Sequence, residues 1–120
     1  MNHRPIISDQ PMYLLLKDRL VEEFNPRQAA GEPCPLAGCD FSGTDLRGLE
    51  ADGLDLRDAC FDETDLRGVD LRGARLDGST LPGARVAGVS FPADLAPEEI
   101  ELSLQHRGPK GRVEDRSPRP

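Results

Sequence analysis

Tryptophan is absent from this chain of 120 residues, tyrosine occurs once and phenylalanine four times. A core built on large aromatics is thereby excluded, and the 37% hydrophobic content has to be packed mainly from aliphatic side chains. No stretch approaches the roughly 18 consecutive apolar residues of a membrane-spanning helix. Met1-Asn2-His3-Arg4-Pro5 also lacks the apolar centre of a signal peptide. The expectation is a cytoplasmic protein with no membrane partner. Three cysteines, an odd number, are poor material for a disulfide framework or a zinc site. Positive charge is in deficit: 15 basic against 22 acidic residues, net −7, where direct nucleic-acid binding wants a basic stripe. The two histidines, His3 and His106, stand near opposite ends, and no glycine-rich loop precedes a Lys-Ser/Thr pair. A non-enzyme with no cofactor, no metal and no direct nucleic-acid partner is expected.

What the chain does have is a five-residue period. Leu36, Phe41, Leu46, Ala51, Leu56, Phe61, Leu66, Leu71, Leu76, Leu81, Val86 and Phe91 recur without insertion, twelve units filling 34–93. Neither a helix of 3.6 residues per turn nor a strand of period two holds that register, so the reading is a solenoid of short straight pieces joined by corners. With the large residue at position i, position i−2 is small or β-branched in ten of twelve units and position i+2 is glycine in nine. Positions i and i−2 are expected to point inward, one large and one small, so that layers interlock. Glycine at i+2 suits a tight corner. The charged i−1 and i+1 positions are left outside. A calcium-binding roll would need Gly-Gly pairs, and none occurs.

Units such as Thr44-Asp45-Leu46-Arg47-Gly48 and Thr64-Asp65-Leu66-Arg67-Gly68 resemble the pentapeptide-repeat family. The resemblance covers 34–93 and implies a mainly β fold, a three-coil right-handed quadrilateral β-helix with four units per coil. Residues twenty apart should then stack: Leu36/Leu56/Leu76, Phe41/Phe61/Leu81, Leu46/Leu66/Val86 and Ala51/Leu71/Phe91. Ala51, the undersized member, is offset by the oversized Leu49 in its own unit. The same register spreads Asp52, Asp55 and Asp58 over two faces, which argues against a metal-binding string.

Four segments follow: a helical cap over 1–33, the repeats over 34–93, a C-terminal helix and cap over 94–107, and a disordered tail over 108–120. Pro11–Phe24 reads as one helix with Tyr13, Leu14, Leu16, Leu20, Val21 and Phe24 on its apolar arc and Ser8 or Asp9 as its cap. Asn25 then caps a second helix, with Pro26 at its first position and Gly31 at its stop. Leu15 falls outside the arc, among Asp18, Arg19 and Glu22. Pro97-Glu98-Glu99 starts a third helix in which Ile100 and Leu104 cover the last coil while Leu102 faces away.

Charge is the remaining surface signal. The second face, with Asp40, Asp62 and Glu63, is the most acidic, and Asp/Arg alternation on the third reads as a ladder of surface pairs. The candidate interaction residues are therefore Leu15, Leu102, Asp40, Asp62 and Glu63, and the functional expectation is a non-catalytic protein–protein interaction module with an unidentified protein partner. The resemblance supplies two alternatives: a DNA-mimic protein acting on a type II topoisomerase such as gyrase, and a bacterial effector. It also implies a monomer or a weak homodimer through the C-terminal helix.

Overall fold

Pro11 opens the first helix, where its missing N–H removes no hydrogen bond. The computed structural model describes residues 8–105 and Val113; the histidines singled out above, His3 and His106, lie outside the described residues. Helix α1 runs Pro11–Lys17, α2 runs Val21–Ala29 and α3 runs Pro97–Gln105. The single helix expected over Pro11–Phe24 is thus two. Arg19 adopts a left-handed backbone (φ 63°), and Asp18 N–H turns back to Leu14 O at 3.0 Å, which ends α1. Ser8 does not cap α1; its hydroxyl accepts from Gln10 N–H ahead of the helix, and Gln10 stands at the cap position.

The turn at 18–20 changes which side chains face inward. Met12, Tyr13, Leu16, Val21 and Phe24 are buried, whereas Leu14 and Leu20 of the expected apolar arc are 44% and 40% exposed. Leu15, expected outside, is half-buried against the core. Asn25 and Pro26 lie inside α2 instead of at its start. The helix tolerates Pro26 at the loss of one backbone donor.

The repeats begin immediately after. The expected fold class, a mainly β three-coil right-handed quadrilateral β-helix, is corrected here. Among the described residues there is no β-strand and no sheet, and the only regular elements are the three helices. Pairing is confined to isolated parallel bridges, such as Asp40↔Cys60, Asp45↔Asp65, Glu50↔Asp70 and Asp55↔Arg75. The physical reason is the length of the straight pieces. Eleven of the twelve units close a four-residue turn, as in Thr44 N–H to Phe41 O at 3.1 Å and Thr64 N–H to Phe61 O at 3.0 Å. In ten of these the third residue has positive φ, for example 71° at Gly43 and 84° at Gly48, as a type II turn requires; Gly73 is the exception. An extended stretch between two such turns is too short to pair at more than one residue. Asp58 and Glu63 hold the same left-handed geometry without being glycine, at φ 59° and 58°.

The bridges nevertheless join residues twenty apart, so 34–93 winds in twenty-residue circuits that lie on one another. Phe41 N–H donates to Cys60 O (2.8 Å) and Phe61 N–H to Thr80 O (2.9 Å). The rings of Phe41 and Phe61 stack with centroids 5.5 Å apart and 10° between planes, and Tyr13 meets Phe41 at 5.4 Å. Position i is buried from Leu36 through Leu81; Val86 and Phe91, in the last circuit, are half-buried.

Candidate interaction surface

Because i and i−2 are consumed by the core, the side chains at i−1 and i+1 form the display. Four units carry the tripeptide Asp-Leu-Arg, and all four do the same thing. Asp45 Oδ1 accepts Arg47 N–H (3.0 Å) and Nε–H (3.0 Å), while its Oδ2 accepts from Nη2 at 2.8 Å. Asp55 with Arg57, Asp65 with Arg67 and Asp70 with Arg72 repeat the fork at 2.7–2.8 Å for the Nη2 contact. Arg47 Nε also reaches Asp65 Oδ2 of the next circuit at 3.5 Å. Charge-assisted bidentate contacts of this kind fix geometry as well as charge. They hold the carboxyls low: hydrogen bonds from Arg67 and Arg72 bring Asp65 and Asp70 down to about 2. Asp–Arg pairs anticipated for the third face thus occur on the first and fourth as well, one fork on each. The repeated tripeptide was the signal that face-by-face charge sums passed over.

The N-terminal helices are built onto the first circuit by side chains that imitate a neighbouring backbone. Asn25 Oδ1 accepts Glu50 N–H at 3.0 Å while its Nδ2 donates to Gly48 O at 3.0 Å, and Gln28 Nε2 donates to Asp52 O at 3.3 Å. Tyr13 O–H donates to Asp40 O at 2.6 Å. Burial, with the charges of Cys39 and Asp40 adding to it, pushes the Tyr13 hydroxyl up to about 12. The side chain of Asn25, read from sequence as a helix cap, caps the edge of the repeats.

The five sequence-derived candidates do not form one patch. Leu15 belongs to α1 at the first circuit, and Leu102, 47% exposed, to α3 at the third, where Gly83 N–H donates to Leu104 O (3.0 Å). Asp40, Asp62 and Glu63 do share a neighbourhood around the Asp40↔Cys60 bridge. Asp40 Oδ1 accepts both the N–H and the hydroxyl of Ser42; burial works to raise this carboxyl, but Ser42 and the charge of Lys17 prevail and it is lowered. Asp62 Oδ1 accepts the Thr80 hydroxyl at 2.8 Å. Glu63 is exposed. Beside the undersized Ala51 lies a shallow groove of about 420 Å³ with Glu50, Asp52 and Asp70 on its rim.

The three cysteines are free, and burial pushes each of their thiols up, so none is an activated nucleophile. Among the described residues no group of three or more His, Cys, Asp or Glu side chains is placed to hold a metal ion. No helix among them is long and apolar enough to cross a membrane.

The family model for pentapeptide repeats matches residues 34–62 and 59–91, with eight copies. No curated protein and no solved structure matches the chain. The matched span coincides with the twenty-residue circuits and their buried i and i−2 columns, and the chain is a pentapeptide-repeat protein.

Proposed function

We propose that this protein is a non-catalytic protein-interaction module whose outward columns present charged groups to a protein partner. The observation that carries the reading is the repeated Asp–Arg fork. Four copies of one bidentate arrangement are held at fixed spacing on a packed core, and Arg47 links two circuits. Exposed ion pairs contribute little to folding, with a typical value of about 0–1 kcal/mol each. Their ordering therefore makes better sense as display than as structural support. Electrostatic patterns of this type set partner choice and association rate more than raw affinity.

The test is capture of a partner from the native host, followed by reversal of one face at a time: Arg47→Glu with Arg67→Glu, Asp62→Lys with Glu63→Lys, and Asp70→Lys alone. One reversal should abolish capture of one identified protein while the variant still unfolds in a single cooperative transition. Capture indifferent to all three would refute display through the columns.

A further inference from the structure

One edge of the third circuit is completed by a residue from far along the chain. In the first two circuits the corner amide donates to a carbonyl of the circuit above: Gly38 N–H to Arg57 O at 2.7 Å, and Asp58 N–H to Asp77 O at 2.8 Å. The carbonyl beside it accepts in return, Cys39 O from Cys60 N–H at 2.9 Å and Ala59 O from Thr80 N–H at 3.1 Å. In the third circuit the corresponding groups are Gly78 N–H and Ser79 O, and both engage Val113. Gly78 N–H donates to Val113 O at 2.6 Å, and Val113 N–H donates to Ser79 O at 2.8 Å. The valine side chain is buried, 3% exposed. Sequence composition reads 108–120 as a disordered tail; Val113 is the one described residue within it, and it is docked.

A second observation bears on how well Val113 suits the place. Ser79 is fully buried, yet its hydroxyl has no hydrogen-bond partner among the described residues. The two residues beneath it in the same column are Cys39 and Ala59, of which Ala59 has no polar atom to satisfy and Cys39 bonds Pro35 O at 3.7 Å. A buried hydroxyl without a partner costs free energy, so closure by Val113 leaves the edge incompletely matched. Beside Val113 opens a cavity of about 300 Å³ whose lining includes Leu76 and Leu95 together with Arg75 and Asp77.

We propose that the Gly78–Ser79 edge is a peptide-docking site, occupied in cis by Val113, and that its external partner is an extended peptide presenting valine or threonine at that point. Main-chain hydrogen bonds supply the affinity and the pocket for one β-branched side chain supplies the selectivity, as in other cases where an exposed edge accepts a segment. A threonine has the valine shape and adds an oxygen. Residue 113 is preceded by Arg112 and followed by Glu114, and the cavity lining likewise carries both signs of charge, so a partner segment of mixed charge fits. The inference rests on the reading of the protein as an interaction module and assigns a second, separate surface to it. Since the cis segment is tethered, its effective concentration is high and a free peptide competes with it at a disadvantage.

The experiment titrates full-length protein with the synthetic peptide Lys-Gly-Arg-Val-Glu-Asp-Arg, a copy of residues 110–116, and follows backbone amides by heteronuclear NMR. Val113→Gly keeps the N–H and C=O of the cis residue but removes the buried side chain. This variant should bind the peptide at least about tenfold more tightly than wild type, with shifts at Gly78, Ser79, Leu76 and Leu95. A control peptide with glycine replacing its valine should bind neither protein. Equal affinity for wild type and variant, shifts spread over the acidic faces, or binding of the glycine peptide would each overturn the proposal. Should Val113→Gly melt below the titration temperature, Val113→Ala replaces it with the same expected ranking. A partner that docks through the Asp–Arg columns would still respond to the face reversals above, so failure here is distinguishable from failure of the interaction-module reading.

Discussion

Replacing Phe61 with alanine tests the twenty-residue stacking at its centre. Phe61 is 1% exposed and lies parallel on Phe41 at 5.5 Å, with Tyr13 packed against the far side of that pair at 5.4 Å from Phe41. Truncating a buried phenylalanine costs about 3–5 kcal/mol, the larger values where the surroundings cannot close over the cavity. Here they are held apart: backbone bonds from Phe41 to Cys60 and from Phe61 to Thr80 fix the spacing of the circuits. The upper half of the range is therefore expected. With a urea slope of about 1.5 kcal/mol per molar, the unfolding midpoint should fall by about 3 M. The reference is Phe61→Leu, which places in the column the residue already present at Leu81 and should cost about 1.5 kcal/mol or less. Urea titrations of the three proteins, followed by far-ultraviolet circular dichroism, give both differences. A midpoint for Phe61→Ala within about 0.5 M of wild type, at unchanged slope, would show that Phe61 does not hold successive circuits together.

Other outcomes follow from the same geometry. Asn25→Ala removes both bonds to the edge, to Gly48 O and from Glu50 N–H; it should cost about 1–2 kcal/mol and speed hydrogen exchange at the Glu50 amide, and unchanged exchange there would remove Asn25 from the edge. Asp65 and Asp70 have folded values lowered to about 2 by Arg67 and Arg72. Their contribution is complete above the unfolded carboxyl value of about 4 and is lost as pH falls through about 2. Melting temperatures should accordingly decline over that interval, less steeply in Asp65→Asn; an identical slope would refute the assignment. The net charge of −7 and overall extents of 34 × 32 × 25 Å, far from an elongated rod, lead to the expectation that the protein neither shifts duplex DNA in a gel nor inhibits gyrase supercoiling at low micromolar concentration. Potent inhibition would reverse that expectation.

The five-residue register alone determined which side chains of the first two and a half circuits are buried. Leu36 through Leu81 occupy the core because a turn every five residues, marked by glycine in most units, resets the chain to the same inward orientation, and that information is local. The columns twenty apart were legible for the same reason. The secondary-structure class was not: turns so closely spaced leave room for single bridges only, where the sequence reading expected strands. The N-terminal helix was misread for a different reason. The apolar pattern of Pro11–Phe24 suits one long helix in isolation, but a left-handed Arg19 splits it so that Tyr13, Phe24 and the Asn25 amide can all reach the first circuit. Nor does local sequence announce Val113 as a partner for Gly78 and Ser79. That pairing depends on an edge created only when the third circuit closes, and a polar, proline-rich context gives no hint of one buried valine.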